Sequence, residues 1–140
     1  MGERLAFDLR RAVDIPAMVA SLDDLDALVN KAAVLYCDPV DAIPEEHRCE
    51  ILAVNLEVPA ALIAAVAPGM KARRCGRIVN VSSVSAFTGH PDLWYGVTKA
   101  GLLNLTKSWA RVWSARVPVN VVARRRRACT TNCPSRVATM

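Results

Sequence analysis

Apolar and polar positions along this chain alternate between two periods, one suited to strands and one to helices. Residues 77–82, Arg-Ile-Val-Asn-Val-Ser, are the clearest strand, a β-branched run following Gly76. Residues 26–30 (Asp-Ala-Leu-Val-Asn) and 117–123 read as two further buried strands, and residues 5–9 as a short strand ending near the carboxylate of Asp8. Helical stretches fall between them. Asp14 has the place of an N-cap, with Pro16 in the first turn of a helix reaching about Ser21. Asp41 and Pro44-Glu45-Glu46 open a long apolar-periodic helix to about Met70 or Lys71, and a loop with Gly89 and Pro91 leads to another over residues 93–116. Strand and helix in turn predict an α/β fold with a parallel sheet. After Ala123 the periodicity stops, so residues 1–123 are expected to form one domain and 124–140 an irregular basic tail.

Composition supports one folded domain. Of 140 residues, 53% are hydrophobic and 22% charged, enough for a modest core. No uninterrupted apolar stretch approaches the ~20 residues of a membrane span, and Met1-Gly2-Glu3-Arg4 does not open a secretory signal. The expectation is a cytoplasmic protein without a membrane partner. The net charge of +5 raises nucleic acid as a partner, but four of the eighteen basic residues form the single run Arg124-Arg125-Arg126-Arg127, without aromatic residues between them; no nucleic-acid role is expected. Cys37, Cys49, Cys75, Cys129 and Cys133 have no zinc-type spacing, so reduced thiols and no metal site are expected.

The chemistry-bearing pattern is Tyr95-Gly96-Val97-Thr98-Lys99, with Ser82-Ser83 upstream. Tyrosine and lysine four residues apart on a helix share one face. A phenol normally ionises near pH ~10; a neighbouring ammonium favours the phenolate and suits the pair to proton transfer. A serine hydroxyl nearby can hold the oxygen that exchanges the proton. Pro59, inside the long helix, has no N–H to give the carbonyl of Asn55 four residues back, which must find another donor or water.

These residues and their order resemble the short-chain dehydrogenase/reductase family over roughly residues 5–123. Residues 26–33 look like the strand and turn written LVNNAG; Val54-Asn55-Leu56 like the helix motif with the catalytic asparagine; residues 76–83 like the strand to the catalytic serine; and Tyr95-x-x-x-Lys99-Ala100-Gly101 like the catalytic helix. The resemblance implies an NAD- or NADP-dependent oxidoreductase interconverting an alcohol and a ketone. Tyr95 would be the general acid or base, Lys99 would support it and hold the cofactor ribose, and a serine would position the substrate oxygen. Asn55 would offer its main-chain carbonyl to a water in the proton relay. Ser82 lies thirteen residues before Tyr95, the family's usual spacing, but the local pattern favours Ser83 and one deletion. The resemblance also implies that Asp8, Leu9, Asn30 and Ala32, with Tyr95 and Lys99, line the cofactor.

Against the family's pattern, no Gly-rich TGxxxGxG turn is present, and the six glycines never cluster after a strand. Lys31 and Ala33 replace an asparagine and a glycine, and Arg124-Arg125 stand where the family has Pro-Gly. The resemblance therefore implies a partial Rossmann-like, doubly wound parallel sheet lacking its first two strands and its last, truncated at both ends. In the order 3-2-1-4-5-6 this leaves residues 5–9 without a neighbour and residues 26–30 as an exposed edge. Most of the pyrophosphate seat goes with the missing strands. Beside the oxidoreductase stands an alternative, an incompetent fragment that associates with a second copy or with intact relatives through its two long helices. His47 and His90 read as solvated histidines, and Trp109 with Trp113 as helix packing or an interface stripe.

Overall fold

A computed structural model describes residues 5–22, 24–113 and 117–124. Three strands, β1 (Ala27–Asn30), β2 (Arg77–Ser83) and β3 (Val119–Arg124), form one parallel sheet in the order β1-β2-β3. Leu28 pairs with Ile78 and Ile78 with Val119 across the sheet. Three of the four predicted strands stand where the apolar runs placed them, with β3 reaching one residue into the arginine run. The rest of the predicted tail, 125–140, lies outside the described residues.

Each parallel step needs a crossover, and helices supply both. Between β1 and β2 run α2 (Glu45–Leu52), a π-helical turn (Ala53–Glu57) and α3 (Val58–Arg73). Between β2 and β3 run the single turn α4 (Ser85–Thr88) and the long α5 (Leu93–Trp113). A short α1 (Ile15–Ala20) precedes β1, with Pro16 in its first turn as expected. Asp14 makes no capping bond there; its carboxylate is drawn 2.6 Å from Arg11 instead.

The core lies on one side of the sheet. Ile78 and Val119 pack with Ile63, Val66, Ala67 and Met70 of α3 and with Trp113 of α5, while Leu28 and Trp109 border the same cluster. This bears out the reading of the tryptophans as packing. Alternation along a strand puts Val29, Val79 and Val122 on the opposite face. Val29 and Val122 are 50% and 55% exposed. Among the described residues, β1 pairs with β2 alone and is the expected open edge.

Residues 5–9 form no strand, which corrects that expectation. Without a neighbouring strand an extended segment has no ladder to join. Phe7 and Leu9 turn instead into a second cluster with Ile15, Val58 and Leu62, and a turn follows in which Arg11 N–H bonds Asp8 O at 3.0 Å.

The helix from Glu45 to Arg73 is 29 residues long and apolar enough to cross a bilayer by length and composition, which its apolar runs, broken by Asn55 and Glu57, did not reveal. Val58, Leu62, Ile63, Val66, Ala67 and Met70 place its apolar side in the core. Its irregularity has a local cause. Val58 N–H bonds Ala53 O, five residues back, so the turn widens and α3 restarts with Pro59 in its first turn, where a missing N–H costs least. At its end Arg74 is left-handed (φ 54°), and at Gly76 (φ 153°) a Cβ would lie 2.5 Å from Met70 Cγ. Cys37 is disulfide-bonded, correcting the expectation of a reduced thiol; linear spacing does not reveal which cysteines a fold brings together. Cys49 and Cys75 are free, while Cys129 and Cys133 lie outside the described residues.

Candidate functional site

Tyr95 and Lys99 sit in the first two turns of α5, each only 3% exposed. Lys99 Nζ lies 5.7 Å from the centre of the Tyr95 ring and donates to Val81 O of β2 at 3.0 Å. The same strand delivers both serines. Ser82 shares the helix-facing side with Ile78 and Asn80, and its hydroxyl donates to Lys99 O at 2.9 Å. Ser83, the last residue of β2, accepts the N–H of Ser85 at 3.2 Å, and its own O–H has no acceptor among the described residues. The two neighbouring serines thus do different work, because successive side chains of a strand point to opposite faces.

Asn55 lies in the π-helical turn and is fully buried. Its side-chain amide forms a two-way clamp on Val34, accepting the Val34 N–H at 2.8 Å and donating to Val34 O at 2.9 Å. It also reaches Thr98 Oγ1 at 3.4 Å, and Thr98 donates to Tyr95 O at 3.0 Å. Asn55 therefore ties the segment after β1 to the turn that carries Tyr95. Asn30, at the end of β1, donates to Asn80 Oδ1 at 2.7 Å, and Asn80 donates to Thr106 of α5 at 2.9 Å. Ala32 lies half-buried in the turn that follows.

Asp8 and Leu9 stand apart from this cluster. The Arg10 guanidinium grips the Asp8 carboxylate, with Nε 3.0 Å from Oδ1 and Nη2 2.9 Å from Oδ2. That hydrogen-bonded pairing holds the Asp8 carboxyl below the usual carboxylate range. The Leu9 side chain packs beside Ile15, Val58 and Leu62.

Two residues of this region carried no expectation from the sequence, and a third had a different one. Asp92 is a buried N-cap: Oδ1 accepts the N–H of Tyr95 at 2.9 Å, and Oδ2 accepts that of Tyr36 at 3.0 Å. An aspartate three residues before a helical tyrosine is a capping signal that could have been read. Tyr36 has no such signal. Its ring stacks on His47 at 3.7 Å, its hydroxyl bonds Glu50, and burial followed by that bond pushes its phenol up to about 12. The third is His90, whose ring centre lies 5.0 Å from that of Tyr95. Neither histidine is simply solvated, as expected from polar sequence neighbours: His47 also meets Asp38 at 2.8 Å. Tertiary contacts put aromatic rings beside both. Among the described residues no group of three or more His, Cys, Asp or Glu side chains could hold a metal.

The arrangement thus offers a buried phenol, an ammonium beside it and a serine hydroxyl at the end of the adjoining strand, a set suited to moving a proton on or off an oxygen. Known proteins share this frame. The chain is 41% identical over 104 residues to an L-xylo-3-hexulose reductase of Hypocrea jecorina, covering 70% of this chain and 34% of that one. It is 34% identical over 128 residues to the 3-oxoacyl-(acyl-carrier-protein) reductase FabG of Vibrio cholerae, covering 87% and 52% respectively. Among solved structures, a gluconate 5-dehydrogenase from Burkholderia cenocepacia in complex with NADP and tartrate superposes with a TM-score of 0.79 at 29% identity, over 85% of this chain and 49% of that one. The chain spans about half the length, or less, of these relatives. The family model described as short chain dehydrogenase matches residues 4–131, and with the three-stranded Rossmann-like sheet and the order of its motifs, the chain belongs to the short-chain dehydrogenase/reductase family of oxidoreductases.

Proposed function

We propose that this chain interconverts an alcohol and a ketone with NAD or NADP, using Tyr95 as general acid in reduction and base in oxidation. The observation that carries the reading is the burial of Tyr95 and Lys99 side by side on α5, against the end of β2. In the reductive direction Tyr95 gives its hydroxyl proton to the substrate oxygen, and the Lys99 ammonium stabilises the phenolate that remains. Ser83 donates to that same oxygen; its O–H has no acceptor among the described residues, which supports it over Ser82, whose hydroxyl serves Lys99 O. The Asn55 carbonyl, without an N–H from Pro59, receives the water that returns a proton toward Lys99.

The residues present fit one half of a dinucleotide. Tyr95, Lys99, Asn30 and Ala32 would hold the nicotinamide and its ribose, and Asp8 with the Leu9 main chain would meet the adenosine end. When bound, the nicotinamide supplies or accepts the hydride. The 140 residues contain no glycine cluster to admit a pyrophosphate, so the fit ends there. The relatives' names point to oxygenated substrates of more than one kind, a hexulose, gluconate and a 3-oxoacyl group on acyl carrier protein. Association with a second copy or an intact relative, through the long helices or the open edge of β1, and cytoplasmic residence complete the proposal. Titration of the purified chain with NADH and with NADPH, followed by nicotinamide fluorescence, should give a saturable change with one of them, and ketone-dependent loss of absorbance should follow. Absence of any saturable change with either cofactor overturns the proposal.

A further inference from the structure

His90 is fixed from three sides. Pro91 restricts the backbone after it. Its own backbone runs against the first turn of α5 at Gly96, where a Cβ would lie 3.5 Å from His90 Cβ and 3.6 Å from His90 N. Its ring is anchored by the Asp92 N–H, which donates to Nδ1 at 3.0 Å. A main-chain N–H can only donate, so Nδ1 is the acceptor and the proton of the neutral imidazole resides on Nε2. Nε2 has no hydrogen-bond partner among the described residues, and the side chain is half-buried rather than sealed.

The ring so fixed stands 5.0 Å from the Tyr95 ring, tilted by 55°. Asp92 is common to both: its N–H holds His90, and its carboxylate holds the N–H of Tyr95. One residue therefore sets the phenol and the imidazole relative to each other.

We infer that His90 orients the substrate, its Nε2–H donating to a second oxygen on the carbonyl compound whose first oxygen meets Tyr95. The inference rests on the reading of Tyr95 as the proton donor. A second donor beside the one that meets the carbonyl oxygen selects a carbonyl compound with a further oxygen, so the substrate class is a hydroxyketone or keto acid rather than a plain ketone. The role is orientation; His90 exchanges no proton in the reaction.

Two substitutions separate the nitrogens. His90→Asn keeps an acceptor near Nδ1 for the Asp92 N–H and removes the Nε2 donor. His90→Gln reaches the Nε2 position and gives up the anchor. With NADPH and hydroxyacetone, H90N should raise KM about five- to tenfold with kcat little changed, the loss of one neutral hydrogen bond, and H90Q should recover part of it. With acetone, KM should be the same for all three proteins. Independently of turnover, 15N-histidine NMR should show the His90 proton on Nε2, and titration with hydroxyacetone, not acetone, should shift that signal saturably. A proton on Nδ1, equal shifts with both ketones, no shift with hydroxyacetone, or an equal rise of KM for both in H90N overturns the inference. A selective hydroxyacetone shift in a protein that turns over neither ketone leaves the inference standing and overturns the proposed reaction.

Discussion

The junction of β2 with α5 and the outer edge of β1 are built from similar apolar runs, yet they end in opposite states. At the junction, buried Asn55, Asn80, Ser82, Thr98 and Thr106 each reach a partner between 2.7 and 3.4 Å. At the edge, β1 has one neighbour among the described residues, Val29 is half-exposed, and residues 5–9 have left the strand pattern to pack as a loop. A site held by short-range side-chain-to-backbone bonds keeps its geometry whatever lies beyond it. A sheet edge depends on a strand from elsewhere.

That contrast can be broken first at its chemical centre. Tyr95→Phe should lower kcat about 10²- to 10⁴-fold, the usual contribution of a positioned general acid, while circular dichroism stays unchanged. Full activity in the Y95F variant would remove the site from the comparison altogether. Asn55→Ala tests whether the junction is held as described. It leaves the N–H and C=O of Val34 buried without their partners and should cost about 2–4 kcal/mol in urea unfolding, at about 1–3 kcal/mol per unsatisfied group. A loss below about 1 kcal/mol would mean water replaces the clamp.

Gly76→Ala probes the entry to β2. A methyl group 2.5 Å from Met70 Cγ, at φ 153°, forces a shift worth about 1–3 kcal/mol by the same measurement. Smaller still is the alkaline response of Tyr36. Its phenol is raised to about 12 against an ordinary value near 10, so the folded state holds the extra proton between these values. Stability from this group is complete below pH ~10 and fades as pH rises toward 12; Tyr36→Phe should flatten that part of the pH–stability curve. The smallest effect on stability belongs to the edge. Val29→Lys should change unfolding free energy by less than about 0.5 kcal/mol yet reduce self-association in sedimentation velocity, because a charge on an open strand discourages pairing. Unchanged association would show that β1 is not the adhesive surface.

The strands 26–30, 77–82 and 117–123 were legible because apolar runs bounded by glycine, proline and charge have few other uses. The long helix was legible in extent, and Pro59 marked the place of its irregularity, although the proline cannot by itself say that the turn widens upstream, at Ala53–Glu57. Residues 5–9 misled because their pattern suits a strand and no pattern within them records a missing partner. The Tyr95–Lys99 pair was visible from helical spacing alone. The division of labour between Ser82 and Ser83 was not, since adjacent residues of one kind differ only in the face they meet.

By itself the sequence determined the parallel α/β alternation, the helical spacing that puts Tyr95 and Lys99 on one face and the absence of a glycine cluster from these 140 residues. Those follow from local periodicity, side-chain chemistry and composition. Only the tertiary structure decided that Asn55 clamps Val34, that Asp92 ties Tyr36 to Tyr95 and that His90 stands beside the phenol. Each depends on groups far apart in the chain or on backbone donors with no sequence signature, and hydrogen-bond geometry is satisfied only once the elements are packed.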